Sequence, residues 1–306
     1  MKKLIVHAGT HKTATTSFQR ICFENRDRLT NYGISYPLLT FYPNDPILSQ
    51  TIARNNCTPE SIPQHSYLPR LLLKDNLTDV STFLENALTT ANQKSCETTL
   101  LSGEDFESSL IDTSLAQKFK DIAIQSGFEE VSFVITKRSS IDYFHSLYNQ
   151  LASQGIPCNP MSLYETINSH GYASFSSMHG IFHYVFDLFR AAKKFEQDTN
   201  IICKVLEYKN FLEVYPGHNL LQSINQSQSE QIKDLEINFT RSNTSSEKGN
   251  IEFLHACAYL SLDPNQGTYK KNAQLFKALI QRREAILLRV TKLAEKNLKR
   301  FDQNPY

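Results

Sequence analysis

The sequence carries almost no net charge. Thirty-two Lys and Arg stand against 31 Asp and Glu, a formal net charge of +1. A general nucleic-acid binder shows a basic surplus, so that class is set aside and only a local basic pocket stays open. Paired cysteines are absent as well: Cys22, Cys57, Cys96, Cys158, Cys203 and Cys257 are scattered, with no C-x-x-C. That excludes a zinc ribbon and a dense disulfide framework and leaves reduced thiols. No apolar run reaches membrane-spanning length, and the run after Lys2 and Lys3 is too short for the core of a secretion signal, so a cytoplasmic protein without a transmembrane segment is expected. His-Glu-x-x-His and G-x-S-x-G are both missing, against a zinc protease and a hydrolase with a nucleophile elbow. Internal repeats and low-complexity tracts are missing too. The length suits one large domain or two small ones, the apolar content is ordinary, and a single domain over residues 1–306 is expected.

What is present starts at the N-terminus. Leu4-Ile5-Val6-His7-Ala8-Gly9 is an apolar run closing on Gly. The loop Thr10-His11-Lys12-Thr13-Ala14 follows, and Thr15-Thr16-Ser17-Phe18-Gln19 opens a helical pattern. Strand, loop, lysine, hydroxyls and helix together make an anion cradle. Amides at a helix N-terminus point at the anion, the helix dipole favours its charge, and the lysine and hydroxyls add short bonds. One capping hydroxyl would serve an ordinary helix start; four with a lysine exceed that need. A Walker A loop places Gly directly before its Lys. Here His11 stands there, so the loop is a phosphate cradle of another kind.

Further along, the pattern alternates strand and helix. The helical stretch from Thr15 runs to about Asn31, and Ile34-Ser35-Tyr36-Pro37 reads as a short strand. Residues 38–75 hold most of six prolines between Pro37 and Pro69 and form a loop-rich insertion, either a substrate wall or an excursion with no role. His65 lies in it, as a solvated or a substrate-facing residue. A helix is expected over Leu77–Gln93, a buried strand over Thr98–Ser102 ending on Gly103-Glu104, a helix over Ser114–Ser126 and a strand from Val131 to Lys137-Arg138, with a helix directly after it. Residues 151–173 read as irregular, Phe182–Phe189 as an aromatic helix, Asn200–Tyr208 as a strand, and 271–301 as a long amphipathic helix. The fold class expected is α/β, a mainly parallel central sheet flanked by helices. In such sheets ligands sit at the carboxyl ends of strands, which singles out Gly9–Ser17, Glu104 and Arg138. Glu104 has a plain alternative as a cap for the next turn.

The wording G-T-H-K-T-A-T-T-S-F-Q resembles the 5′-phosphosulfate loop, K-[ST]-G-[ST]-[ST], of sulfotransferases that use 3′-phosphoadenosine 5′-phosphosulfate (PAPS). Leu-Ser-Gly-Glu-Asp-Phe resembles the S-[SG]-E segment of bacterial members, and Arg138 with Ser146 matches their R-x7-S-L-Y-x-Q. The resemblance implies a P-loop-like sulfotransferase architecture and transfer of a sulfuryl group from PAPS to a small-molecule, carbohydrate or lipid acceptor, with no metal. Gly9, Lys12, Thr13, Ala14, Thr15, Thr16 and Ser17 would hold the 5′-phosphosulfate. Arg138 and Ser146 would hold the 3′-phosphate, and Arg241, in a polar loop, would close over the nucleotide. Lys12 would stabilise the leaving group, with Glu104 the first choice as base and His11 and then His7 behind it. Residues 151–190 would shape the acceptor pocket. The one departure is Ala14, where the family mostly has Gly: strained if the position requires positive φ, harmless if it sits in the first helical turn. A nucleotide kinase or NTPase, with Asp105 as its Mg²⁺ carboxylate, is the alternative, and a binder that kept the cradle without the chemistry is a third.

Overall fold

The computed structural model describes residues 1–10, 13–38, 65–177, 180–224, 248–260 and 273–304. Seven strands are present among them: β1 (Lys3–Gly9), β2 (Ile34–Ser35), β3 (Thr98–Ser102), β4 (Glu130–Lys137), β5 (Tyr172–Ser177), β6 (Gly180–Val185) and β7 (Ile202–Glu207). Five form one sheet in the order β2-β3-β1-β4-β7, every pairing parallel, and β5 and β6 form a two-stranded sheet. The α/β class with a parallel central sheet flanked by helices is therefore correct. The chain divides into two compact units. The first is Met1–Lys137, Phe175–His183 and Arg190–Thr240; the second is Arg138–Ser174, Tyr184–Phe189 and Arg241–Tyr306.

The first unit is built by strands buried on both faces. β1 has Leu4, Val6 and Ala8 fully buried, and Leu100 and Leu101 of β3 are buried side by side. Successive side chains point to opposite faces, so β4 splits its load. Val134 joins the cluster of Phe18, Ile21, Cys22, Leu100, Phe211 and Tyr215. Phe133 meets Phe106 and Phe195 at 6.0 and 5.0 Å between ring centres. The sheet order decides where a ligand can sit. From β1 the chain passes to β2 on one side; from β4 it passes to β7 on the other. Connections that part in this way leave a crevice at the carboxyl ends of β1 and β4.

The helix expected over residues 15–31 is two helices, Thr15–Glu24 and Arg26–Thr30. They join at Asn25, whose side chain donates to the Ile21 carbonyl at 3.0 Å. Of the loop-rich insertion, Tyr67–Leu73 is a helix, with Leu68, Leu71 and Leu72 buried, and residues 39–64 lie outside the described residues.

In the second unit the helix Ser140–Ser153 is capped twice. Ser139 Oγ accepts the Asp142 N–H, and Asp302 Oδ1 accepts from Ser140 N and Oγ at 2.9 and 2.7 Å. Two expectations need correction here. Residues 151–173 are not irregular: Pro160–His170 is a helix with Asn159 accepting from Met161 and Ser162 amides and Pro160 in the first turn, a start signal present in the sequence. Phe182–Phe189 is not a helix. Gly180–Val185 is strand β6, its aromatic and β-branched residues suiting a pleated surface, and the helix begins at Leu188. The long helix at the C-terminus runs Ala273–Asn297. No described helix is long and apolar enough to cross a membrane.

Three helices of this unit are tied by a buried charge network. Arg283 donates to Glu252 Oε2 at 2.9 Å, to Tyr148 Oη at 3.1 Å and to the Cys158 carbonyl at 2.6 Å, while Tyr148 Oη donates to Glu252 Oε1 at 2.8 Å. Glu252 is 4% exposed. Deleting one partner strands the other charge away from water. Glu252→Ala is expected to lower stability by about 3 kcal/mol, read as a shifted urea midpoint; an unchanged midpoint would show the network to be idle.

Candidate functional site

The loop after β1 is held at both ends. Thr10, fully buried, donates from Oγ1 to the Thr136 carbonyl on β4 at 2.7 Å. Thr13 Oγ1 donates to the Thr10 carbonyl at 2.5 Å and lies 3.2 Å from Thr15 Oγ1. The helix then folds back onto the strand end so closely that a Cβ on Gly9 would meet Thr15 Oγ1 at 2.1 Å. Only glycine fits there. His11 and Lys12 lie outside the described residues, between these two anchors.

Ala14 decides between the two meanings left open in the sequence. Its backbone is left-handed, φ 58° and ψ 22°. This is a conformation glycine adopts freely and alanine only at a cost. Among the described residues the other non-glycine positions with positive φ are Asp75, Ser95 and Asn200; Asp and Asn carry a short polar side chain that bonds locally in this region. Ala14 has none. It is the cap of the helix Thr15–Glu24, with no side-chain cap bond and no acidic residue in the first turn. The helical ladder starts with Phe18 N–H to the Ala14 carbonyl at 3.0 Å, so the amides of Thr15, Thr16 and Ser17 precede it. Thr16 is exposed and Ser17 half-buried, whereas Thr13 and Thr15 are buried. The hydroxyls therefore divide into an inner pair that braces the loop and an outer pair that faces solvent.

Beneath the loop lies a lattice of polar groups. His7, fully buried on β1, bridges its two neighbours: Nδ1 to Ser102 Oγ at 2.9 Å and Nε2 to Thr136 Oγ1 at 3.0 Å. It stacks on Phe211 and meets Phe18 edge-on. Burial pushes its pKa down to about 3, so it is neutral. As a base it would lie inside the sheet, and its two ring nitrogens already serve the lattice.

Glu104 opens a 3₁₀ turn, Glu104–Leu110, directly after β3. It is half-buried, and its amide donates to Ser66 Oγ at 3.1 Å. Asp105 beside it is 6% exposed and bound to Arg70 Nε at 2.6 Å, an internal ion pair and not a free metal carboxylate. Gly9, Thr13, Ala14, Thr15, Thr16, Ser17 and Glu104 thus gather at the carboxyl edge of the adjacent strands β1 and β3.

His65 is neither solvated nor substrate-facing. It is 1% exposed; Nδ1 accepts the Ser102 N–H at 3.0 Å and Nε2 donates to the Pro37 carbonyl at 2.8 Å. Burial lowers its pKa to about 4. No local pattern marks this role, because Pro37 and Ser102 are remote in sequence.

In the second unit, Arg138 and Ser146 are half-buried, one just before the cap of the helix Ser140–Ser153 and the other inside it. The Tyr148 that follows in the S-L-Y-x-Q pattern is buried and belongs to the charge network. Arg241 lies outside the described residues.

Two outcomes follow from this geometry. Ala14→Gly relieves a left-handed alanine, and a gain of about 1 kcal/mol is expected in urea unfolding; a loss would mean that the loop does not hold this backbone. The buried histidines give a pH signature. Unfolded, His7 and His65 titrate near 6.5; folded, they do so near 3 and 4. The unfolded chain binds the extra protons, so stability is complete above pH 6.5 and falls as the pH drops below it. Thermal midpoints should decline between pH 7 and 5, above the carboxylate range; a flat profile there would mean that these rings are not buried neutral.

Family models, curated proteins and solved structures were all compared with the chain, and none matches it.

Proposed function

We propose that the chain is a PAPS-dependent sulfotransferase with a P-loop-like sulfotransferase architecture, acting in the cytoplasm on a hydroxyl or amine of a small-molecule, carbohydrate or lipid acceptor. The observation that carries the proposal is the backbone of Ala14. The loop it resembles mostly has glycine at this position, and here the chain takes a left-handed turn that glycine permits, at a residue that is not glycine. A strained backbone kept at a ligand loop is characteristic of functional sites. The tight seat of Thr15 on Gly9 and the uncapped helix start supply the rest of an anion cradle. The five cysteines described are buried and not joined in disulfides, in keeping with a reducing compartment.

In the proposed reaction the acceptor oxygen attacks sulfur, the bond from sulfur to the bridging phosphate oxygen breaks, and 3′-phosphoadenosine 5′-phosphate (PAP) leaves. Like phosphoryl transfer, this asks for positioning and charge stabilisation more than covalent help. Lys12 takes the charge growing on the leaving oxygen, with His11 its neighbour as a second candidate. The amides and outer hydroxyls of Thr16 and Ser17 hold the 5′-phosphate. Arg138 and Ser146 take the 3′-phosphate, which selects PAPS over ATP, with Arg241 closing over the nucleotide. Glu104 accepts the acceptor's proton. The ion pair of Asp105 with Arg70 weighs against the kinase alternative, which needs a carboxylate for Mg²⁺.

Calorimetry with PAP, ATP and ADP, with and without Mg²⁺, tests this. Binding of PAP without Mg²⁺ is expected, and Mg²⁺-dependent ATP binding with no response to PAP would sink the proposal. Glu104→Ala should keep PAP binding and reduce PAP release from PAPS, assayed over a panel of hydroxyl acceptors, by about 10²-fold or more.

A further inference from the structure

Strand β2 covers β3 at only two positions, Ile34 opposite Thr98 and Ser35 opposite Thr99. Further along, the Ser102 N–H and C=O face the side that β2 does not reach, while the next amide, Gly103 N–H, turns to β1 and meets the His7 carbonyl at 3.1 Å. His65 takes the missing strand's place with a single residue. Its N–H donates to the Ser102 carbonyl at 2.8 Å, and its Nδ1 accepts the Ser102 N–H at 3.0 Å. An accepting Nδ1 puts the ring proton on Nε2, which donates to the Pro37 carbonyl at 2.8 Å. The ring is held edge-on by Tyr36 at 4.9 Å between centres. The grip extends one residue on. Ser66 Oγ accepts the Glu104 N–H at 3.1 Å, and Gly103 between them lies so close that a Cβ there would be 2.8 Å from Ser66 N.

We propose that His65, with Ser66, is a positioning residue that fixes the backbone from Ser102 to Glu104 and so sets the direction in which the Glu104 carboxylate leaves the sheet. The catalytic consequence rests on the sulfotransferase proposal, in which Glu104 is the base. Histidine suits the place because one ring offers an acceptor on one edge and a donor on the other. Asparagine can present an oxygen close to where Nδ1 sits; leucine fills the space and offers nothing. Misplacing a base by an ångström costs rate more than affinity.

The experiment uses the full chain as His65→Leu, His65→Asn and Ser66→Ala, with residue-resolved amide exchange and PAPS consumption read as PAP release. In His65→Leu the Ser102 and Glu104 amides are expected to exchange at least about tenfold faster, while those of Val6 and Ile135 keep their rates. The kcat for PAPS falls about tenfold or more with KM within about twofold, and His65→Asn restores most of both. Ser66→Ala, which removes one acceptor, accelerates exchange at Glu104 and spares Ser102, and it decides the matter if the leucine variant fails to fold. Wild-type exchange at Ser102 and Glu104 in both His65→Leu and Ser66→Ala overturns the proposal, as does a leucine variant whose KM rises while kcat holds. A wild-type protein that binds no PAP overturns the sulfotransferase proposal and the kinetic consequence with it, and the exchange arm still decides whether His65 fixes Glu104.

Discussion

The His7 imidazole is the constraint on which the carboxyl end of the sheet depends. It sits on the central strand with a hydroxyl from each neighbouring strand on its two nitrogens, Ser102 from β3 and Thr136 from β4. A neutral ring donates once and accepts once, so both bonds can be made only if one hydroxyl accepts and the other donates. Buried polar networks hold a unique arrangement only when every member is satisfied. Here the satisfaction spreads outward. The Thr136 carbonyl accepts from Thr10, which starts the loop, and the Ser102 backbone is taken by His65, which leads to Glu104. The loop and the candidate base are thus branches of one hydrogen-bonded lattice rooted in the sheet.

That rooting explains how the chain tolerates Ala14. A left-handed alanine persists only where its surroundings over-determine the backbone. Thr13 is tied back to Thr10, Thr10 is tied to β4, and Thr15 is pressed on Gly9. The strain is set against the packing of the helix Thr15–Glu24, whose Phe18 and Ile21 enter the core. Inner threonines and a tight glycine act on the backbone of the loop; in the sulfotransferase proposal the amides and the outer hydroxyls are the groups that meet the 5′-phosphate.

The sequence made legible what short-range patterns determine. Apolar runs closing on Gly9, Gly103 and Arg138 mark three strand ends, and the strands β1, β3 and β4 that carry them are adjacent in the sheet. The hydroxyl-rich loop marks the start of the helix Thr15–Glu24, and Ala14 marks the one place where its backbone is in question. The helix at Pro160–His170 had its own signal in Asn159-Pro160, hidden by the glycine and proline just before it. Phe182–Phe189 failed for a different reason. A short run of aromatic and aliphatic residues fits strand and helix alike, and pairing with β5 settles it as a strand. His65 was out of reach, since a histidine in a proline-rich stretch announces neither a buried ring nor its distant partners.

The two carboxylates after β3 are treated differently by the fold. Glu104 and Asp105 are consecutive and chemically alike. Asp105 is turned inward and ion-paired with Arg70; Glu104 is half-buried, with its backbone gripped by Ser66. A carboxylate held 2.6 Å from a guanidinium has that oxygen committed to a charge-assisted bond. The ion pair thus takes up the Asp105 side chain, while Ser66 acts on the Glu104 main chain. In the sulfotransferase proposal the proton acceptor is Glu104, the residue whose main chain Ser66 holds.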